Sequence, residues 1–334
     1  MKTLKVAGVY LVLATLCPEM AIGAATRHGV FDQKVLTAQV LLDRIGFGPG
    51  VIDGRAGISL TNALKGFQGA RGLSESGRLD DPTVEALSAY SDVPGTIDVA
   101  LTPADLAGPF VGPIPKDPAD QAKLPALGYS DVMEELTERY HTTKATLIAL
   151  NSPTTKLVPG VTIRVPNVRP AVTDYPATLK PEWRATLASL SISSDQPTAA
   201  KLVVDKSDKV LRVYDDQEKL VAQFPATMGS EHDPLPIGDW KVQGTSYLPS
   251  FHYNPDLFWD AKPGDEKQTL KPGPNGPVGV VWIDLDKPHY GIHGTPNPET
   301  IGRTESHGCI RLTNWDAARL SLMVKAGTPA VFQE

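Results

Sequence analysis

The sequence predicts a multidomain chain in which a small three-helix unit and a small α+β unit precede a mainly β, sandwich-like domain. Two proline-rich stretches, residues 93–123 and 169–199, interrupt regular structure and divide the chain into three. Apolar residues recur with a helical period before the first stretch, and short β-favouring runs separated by turns follow the second. A length of 334 residues is sufficient for two or three domains.

Residues 1–25 have the pattern of a secretory signal peptide. A basic start at Lys2 and Lys5 precedes a mostly apolar run over residues 6–16, and the small residues at 21–25 suit cleavage. The apolar run is too short to span a bilayer, which takes about 20 residues. The pattern therefore predicts a secreted protein.

Export also bears on the cysteines. The sequence has two, and the bulky Leu16 argues against a lipoprotein site at Cys17, which is expected to leave with the signal. Exported proteins usually pair their cysteines, so the remaining thiol of Cys309 stands out. A net charge of −6 without a basic block argues against nucleic acid and anionic membranes as partners.

Residues 30–92 predict a domain of three helices. A helical face is formed by Leu36, Val40, Leu41 and Ile45, and another by Leu60, Ala63, Leu64 and Phe67. A third helix is expected to begin at Pro82 with Asp81 as its N-cap. The turn over residues 46–55 and the pair at 67–68 resemble the bacterial peptidoglycan-binding domain, which implies glycan as a partner.

Residues 124–168, after the linker at 93–123, predict a small α+β unit. Two short helical patterns end at Asn151, and the run Val-Pro-Gly-Val-Thr-Ile-Arg-Val-Pro follows at 158–166. This second half resembles a LysM module. The first half has Ser-Asp-Val-Met at 130–133 in place of the family's Gly-Asp-Thr-Leu, so the unit is LysM-like and no binding residues are assigned to it.

Residues 200–334, after a linker at 169–199, predict a mainly β domain. The β-favouring runs are at 202–205, 210–214, 220–224, 238–242, 278–283 and 290–294. One clear helical pattern is present, at 315–324.

The chemistry-bearing residues of this domain surround Cys309. A thiol becomes a nucleophile when a base removes its proton or a positive neighbour favours its thiolate. His307 and His293, at the end of a predicted strand, are the candidate bases. Gly308 leaves backbone N–H groups accessible, which suits an oxyanion hole. These residues predict acyl transfer through a cysteine thioester.

The run Ser-His-Gly-Cys at 306–309, with His293 upstream, resembles the signature of the L,D-transpeptidase (YkuD-like) catalytic domain. The segments 202–214, 228–238 and 290–295 resemble further parts of that domain. Many members of the family have Asn two residues after the cysteine, whereas this chain has Arg311.

The resemblance implies a role for each residue. Cys309 would be the nucleophile and His293 the general base, with the Gly294 carbonyl orienting the imidazole. The N–H groups of Gly308 and Cys309, with His307, would form the oxyanion hole. Site shaping or substrate binding is assigned to Ser306, His307, Arg311 and Tyr290. The alternatives are a turn hydroxyl for the serine, a surface salt bridge for the arginine and core packing for the tyrosine.

The resemblance also implies the reaction. Cys309 would take the acyl group of a peptidoglycan tetrapeptide stem, release D-Ala and pass the acyl group to an amine on a neighbouring stem as a 3→3 crosslink. Neither a metal nor an organic cofactor is expected, and carbapenems would acylate the same cysteine. Water as acceptor would make the protein an L,D-carboxypeptidase, and an anchored lipoprotein would make it an attachment enzyme.

Two alternatives belong to other classes of protein. The first is a zinc-dependent wall hydrolase whose ligands would be His289, His293, His307 and Cys309. The second is a wall-binding scaffold with two glycan-binding modules and a degenerate catalytic domain.

Overall fold

The computed structural model describes residues 29–259 and 261–334. The predicted signal peptide, residues 1–25, lies outside the described residues, and so does Cys17. In the part of the chain that is described, no helix is both long and apolar enough to cross a membrane.

Three α-helices form the amino-terminal unit: α1 (Gln33–Arg44), α2 (Ile58–Ala70) and α3 (Asp81–Ser88). Their apolar faces enclose a small core in which the rings of Phe47 and Phe67 pack edge to face at 5.8 Å. The predicted N-cap of α3 is wrong by one residue. Asp80, not Asp81, accepts the Thr83 N–H, because the capping residue has extended backbone and precedes the first helical residue.

Residues 93–168 contain two strands and three helices: β1 (Thr96–Ala100), α4 (Pro118–Gln121), α5 (Val132–Arg139), α6 (Lys144–Leu150) and β2 (Thr162–Pro166). The two strands pair antiparallel along their full length. β1 lies inside the stretch 93–123, so the prediction that this stretch is only a linker is wrong there. Ile97 and Val99 alternate along β1 and pack against the core beneath it, which stabilises a short strand between the prolines.

α7 (Pro181–Ser189) interrupts the second predicted linker, 169–199. Pro181 lies in its first turn, where no intrahelical hydrogen bond is lost. Trp183 and Leu187 are buried in the core of the carboxy-terminal domain. The prediction of a linker is therefore wrong for this helix, because burial of its apolar side chains offsets the proline content of the segment.

Eleven strands follow within the described residues: β3 (Lys201–Asp205), β4 (Val210–Tyr214), β5 (Leu220–Pro225), β6 (Thr227–Met228), β7 (Gly238–Tyr247), β8 (Phe251–Tyr253), β9 (Gln268–Leu270), β10 (Val281–Leu285), β11 (Gly291–His293), β12 (Ile310–Arg311) and β13 (Pro329–Gln333). β8 and β9 pair separately, and the other nine strands form one sheet in the order β5-β4-β3-β13-β7-β10-β11-β12-β6. Only Ala226 separates the two edge strands, β5 and β6, in the chain, so the sheet curls back on itself. α8 (Asn314–Met323) packs against β10 and β11 and is buried along most of its length.

A buried cluster of charges joins the three units. Asp43 of α1 lies 3.1 Å from His141 Nδ1 and 3.3 Å from the Arg319 guanidinium of α8. Asp316 lies 3.8 Å from the same guanidinium, and the His141 ring stacks on Trp315 with centroids 4.8 Å apart. Burial by itself raises the pKa of Asp43, but the charges of His141 and Arg319 outweigh it and hold this pKa well below its ordinary value.

Candidate active site

The pairing of β11 with β12 places the thiol of Cys309 and the imidazole of His293 on the same face of the sheet. The two strands are parallel, with Ile292 opposite Ile310 and His293 opposite Arg311. Both isoleucines are fully buried in the core. Because side chains alternate along a strand, His293, Arg311 and Cys309 project from the opposite face of the sheet.

That face is the floor of a cleft of about 620 Å³. Five residues predicted from the sequence line it: Tyr290, His293, His307, Cys309 and Arg311. His289, which was predicted only as a zinc ligand, also lines it. Four further lining residues were not predicted: Asp233, Phe258, Trp282 and Asp284. Their sequence neighbourhoods carry no catalytic pattern, and the tertiary fold alone brings them here.

His293 is held in one orientation. Its Nδ1 lies 2.7 Å from the Gly294 carbonyl oxygen, which can only accept, so Nδ1 carries the proton and Nε2 keeps its lone pair. Trp282, directly opposite on β10, stacks on the ring at 5.4 Å. Burial, with a further contribution from the Arg311 charge, lowers the pKa of His293 to about 3. The ring is therefore neutral at physiological pH and can act as a base through Nε2.

Cys309 is half-buried beside it. Burial raises the pKa of the thiol, and the Gly291 N–H and the Arg311 charge only partly oppose this effect. The sulfur lies 3.6 Å from the His289 carbonyl oxygen, to which its proton can point. The resting pair is thus a thiol and a neutral imidazole. This arrangement favours attack with simultaneous proton transfer to a general base over a preformed thiolate–imidazolium pair.

We expect alkylation of Cys309 by iodoacetamide to be slow at pH 7 and to accelerate as the pH rises above the ordinary pKa of a cysteine. The thiolate is the reactive form, and burial delays its appearance. Mass spectrometry of the intact protein across pH 6–10 measures the rate. A plateau already reached below pH 7 would contradict the thiol–imidazole description.

Gly308 determines the backbone conformation of the turn directly before Cys309. Its φ is +94°, a region that side chains rarely adopt, and an added Cβ would lie 2.7 Å from the Tyr290 ring. Residues 307–309 accordingly form bends, not an extended strand. His307 still faces the cleft, where its ring packs against the edge of Phe258 at 5.0 Å.

Ser306 lies behind the cleft and bonds to backbone on both sides. Its hydroxyl donates to the Cys309 carbonyl at 2.7 Å and accepts the Gly229 N–H at 2.7 Å. Its own N–H donates to the Gly229 carbonyl at 3.0 Å. The buried Ser306 hydroxyl therefore connects the turn that carries Cys309 to the segment that follows β6. This geometry favours positioning over substrate binding for Ser306.

The zinc alternative requires three or more suitable ligands close together. Among residues 29–259 and 261–334, no group of three His, Cys, Asp or Glu side chains is arranged to hold a metal ion. His289, His293, His307 and Cys309 line one cleft without forming such a group.

Comparison with known proteins identifies the carboxy-terminal domain. Residues 199–332 match the L,D-transpeptidase catalytic domain family, called YkuD, and residues 32–87 match a peptidoglycan-binding domain family. The domain at 199–332 is a member of the L,D-transpeptidase family. Both family resemblances predicted at these positions are thereby confirmed.

Individual relatives align with part of the chain. The protein named as the L,D-transpeptidase YkuD of Bacillus licheniformis is 31% identical over 128 residues, which covers 38% of this chain and 62% of that protein. The YkuD protein of Bacillus subtilis is 53% identical over 55 residues, or 16% of this chain and 34% of that protein. The chain thus spans less than two thirds of the length of each. A solved structure of an L,D-transpeptidase from Mycobacterium smegmatis has a TM-score of 0.33 and 23% identity, covering 40% of this chain and 58% of that one.

The α+β unit reaches the L,D-transpeptidase domain through Glu138 of α5. Asn314 Nδ2 donates to Glu138 Oε2 and to the Pro274 carbonyl, both at 3.1 Å. The side-chain carbonyl oxygen of Asn314, Oδ1, packs against Gly294. A Cβ added at Gly294 would lie 2.2 Å from this oxygen. The Gly294 carbonyl orients His293. Glu138 therefore supports the candidate base indirectly, through Asn314 and Gly294.

We expect Glu138→Gln to raise the melting temperature by a few degrees at pH 8.5 and to leave it nearly unchanged at pH 4.5. Burial raises the pKa of Glu138 from 4.5 to about 8. Between pH 4.5 and about pH 8 the Glu138 carboxyl is deprotonated in the unfolded chain but stays protonated in the folded protein. The free energy of unfolding therefore falls as the pH rises through this range. Glutamine does not titrate and retains an acceptor for Asn314. Equal stabilisation at both pH values, measured by calorimetry, would contradict the buried-acid explanation.

Proposed function

We propose that the protein is a cell-wall L,D-transpeptidase that forms 3→3 crosslinks through a Cys309 thioester. His293 Nε2 takes the thiol proton as the sulfur attacks the carbonyl of the diamino acid in a tetrapeptide stem. The C–S bond forms, the C–N bond to D-Ala breaks, and the imidazolium returns the proton to the leaving amine. N–H groups of Gly308 and Cys309, assisted by His307, stabilise the oxyanion.

One observation carries the proposal. Cys309 and His293 project from the same face of adjacent parallel strands into one cleft, and the Nδ1 bond to Gly294 leaves Nε2 as the free basic nitrogen. The family membership of the domain supports stem peptides as substrates. In this scheme Arg311 and Tyr290, which line the same cleft, bind or position the substrate.

The amino-terminal units fit a wall location. The family match of residues 32–87 supports peptidoglycan glycan as a ligand. The helices α5 and α6 followed by β2 support a LysM-like unit at 124–168, and β1, from the stretch that precedes it, completes its antiparallel strand pair. We propose that both units hold the enzyme on the wall of the periplasm or cell surface after export.

The group that accepts the acyl group from the thioester distinguishes 3→3 crosslinking from related activities. Water would yield an L,D-carboxypeptidase, and an amine on an anchored lipoprotein would yield an attachment enzyme. A wall-binding scaffold would catalyse none of these reactions. The carboxylate of Asp233, which lines the same cleft, favours a charged amine as the acceptor.

The test is incubation of the purified protein with disaccharide-tetrapeptide, with products identified by mass spectrometry with and without EDTA. We expect release of D-Ala and formation of a crosslinked dimer, unaffected by EDTA. Sensitivity to EDTA would point to the zinc hydrolase. Inert wild-type protein would overturn the proposal and favour the scaffold.

We further propose that carbapenems acylate Cys309 by opening the β-lactam ring, whose C–N bond breaks as the C–S bond forms. The expected result is a mass increase of the intact protein by one inhibitor molecule. The Cys309→Ala protein should remain unmodified, and an adduct on that variant would contradict the assignment.

A further inference from the structure

The segment after β6 forms a rigid rim on the catalytic cleft. The Ser230 N–H donates to the Asp233 carbonyl at 2.8 Å, and the Asp233 N–H donates to the Ser230 hydroxyl at 2.9 Å. Gly229 has a φ of +60°, and an added Cβ would lie 2.4 Å from the Leu235 nitrogen. The two bonds between Gly229 and Ser306 fasten this rim to the turn that carries the nucleophile. The position of Asp233 relative to Cys309 is therefore fixed by the backbone.

The carboxylate of Asp233 lines the cleft without a partner. Its Oδ2 is shielded from solvent and makes no hydrogen bond. No ion pair among the described residues includes Asp233. Leaving a shielded carboxylate unpaired costs free energy, and such groups concentrate where a ligand completes them.

The negative charge of Asp233 acts on the same part of the cleft as the nucleophile. The pKa of Tyr290 is raised by burial first, and then by the charges of Cys309 and Asp233. Tyr290, the thiol and the carboxylate therefore lie close together in one part of the cleft. The two nearby cations interact with other groups than Asp233. The Arg311 charge lowers the pKa of both Cys309 and His293, and the Lys287 ammonium lies 4.9 Å from the centre of the Tyr290 ring.

We propose that Asp233 binds the ammonium group of the acceptor amine and so directs the thioester to an amine instead of water. The inference rests on the proposed function and assigns its acceptor. A carboxylate attracts and orients a cation at the mouth of a partly dry cleft, whereas it offers no comparable advantage to neutral water. Asp233 is thus a specificity-determining residue for the second half of the reaction.

The second half-reaction balances as follows. The bound ammonium releases one proton to water and becomes an amine, which attacks the thioester carbonyl while His293 Nε2 takes a second proton from the nitrogen. The C–N bond forms as the C–S bond to Cys309 breaks. His293 passes this proton to the departing sulfur. Asp233 exchanges no proton and holds the nitrogen in place.

The test compares wild type with Asp233→Asn, which keeps the shape and removes the charge, and with Asp233→Glu, which keeps the charge. Each protein is incubated with disaccharide-tetrapeptide, which serves as both donor and acceptor. Released D-Ala measures thioester formation, and the ratio of dimer to tripeptide measures the choice between amine and water. Methanol added as a neutral nucleophile provides a comparison in which no ammonium takes part.

We expect Asp233→Asn to release D-Ala within about threefold of the wild-type rate and to lower the dimer-to-tripeptide ratio about tenfold, in line with the loss of one charged hydrogen bond. Methyl ester formation should not change, and Asp233→Glu should recover most of the ratio. Equal melting temperatures for the three proteins would exclude a folding defect as the cause.

Two results would overturn the inference alone. An unchanged ratio in Asp233→Asn would show that the carboxylate does not choose the acceptor. A raised KM for D-Ala release would show that it binds an ammonium of the donor stem instead. No D-Ala release by the wild type would overturn the proposed function, and this inference with it.

Discussion

Replacing Cys309 by alanine is expected to lower D-Ala release from disaccharide-tetrapeptide by about 10⁴-fold or more. The residue supplies the sulfur that bonds to the acyl group, and no neighbouring side chain can take over this bond. His293 Nε2 would remain in place but would have no thiol to deprotonate. The rate, followed by quantifying D-Ala, should fall to the background of a reaction without enzyme.

A matched control separates chemistry from folding. Cys309→Ser keeps nearly the same size and replaces the thiol by a hydroxyl, which is a weaker nucleophile, so this variant should also be nearly inactive. Both variants should melt within about 2 °C of the wild type, because the thiol is half-buried at a cleft floor and not part of the core. Substantial activity in Cys309→Ala would exclude the thioester mechanism.

Replacing Arg319 by methionine is expected to lower the free energy of unfolding by about 3–5 kcal/mol. The guanidinium bonds to the Asp43 carbonyl and carboxylate and lies beside Asp316, and all three residues are buried. Without it, Asp316 would lose its nearby cation, and neither of its carboxylate oxygens has a hydrogen-bond partner at present. Chemical denaturation followed by tryptophan fluorescence measures the loss.

The loss should be greater at pH 8 than at pH 4. Burial raises the pKa of Asp316 to about 6 even with Arg319 present. At pH 4 this carboxyl is protonated in the folded protein and needs no cation, whereas at pH 8 its ionised form is left uncompensated. A loss of the same size at both pH values would contradict the electrostatic explanation.

Arg164→Met is the matched surface control. Arg164 pairs with Asp98 at 2.9 Å, but both side chains are 54% exposed and screened by solvent, so the change should cost far less than the replacement of Arg319. The double variant Arg319→Met with Asp43→Asn should be more stable than Arg319→Met alone, because it removes a buried carboxylate that would have lost one of its two partners, Arg319 and His141. If Arg164→Met and Arg319→Met lowered the free energy of unfolding by the same amount, burial could not be the reason for the large contribution of Arg319.

The candidate nucleophile and base could be located from the sequence because a short motif and a strand pattern lie near each other in the chain. His293 and the run 306–309 are joined by one loop, and strand pairing brings its two ends together. The role of Trp282 could not be located in this way. Its contact with His293 depends on the antiparallel register of β10 and β11, which the sequence pattern does not specify.

The linker predictions failed for a different reason. Proline content is a local signal and correctly indicates that long helices are unfavourable. Whether a short element forms nevertheless depends on the surface that covers it. Trp183 of α7 is buried in the carboxy-terminal core, and β1 pairs with a strand about 60 residues later in the chain.

The sequence by itself determined the order of the units, the family of the carboxy-terminal domain and the placement of Cys309 and His293 within it. These properties depend on local periodicity and on motifs within single segments. Only the tertiary structure decided that Asp233 faces the cleft and that Glu138 supports the site from another unit. The physical reason is that burial, charge compensation and strand register arise between segments far apart in the chain, where no local pattern records them.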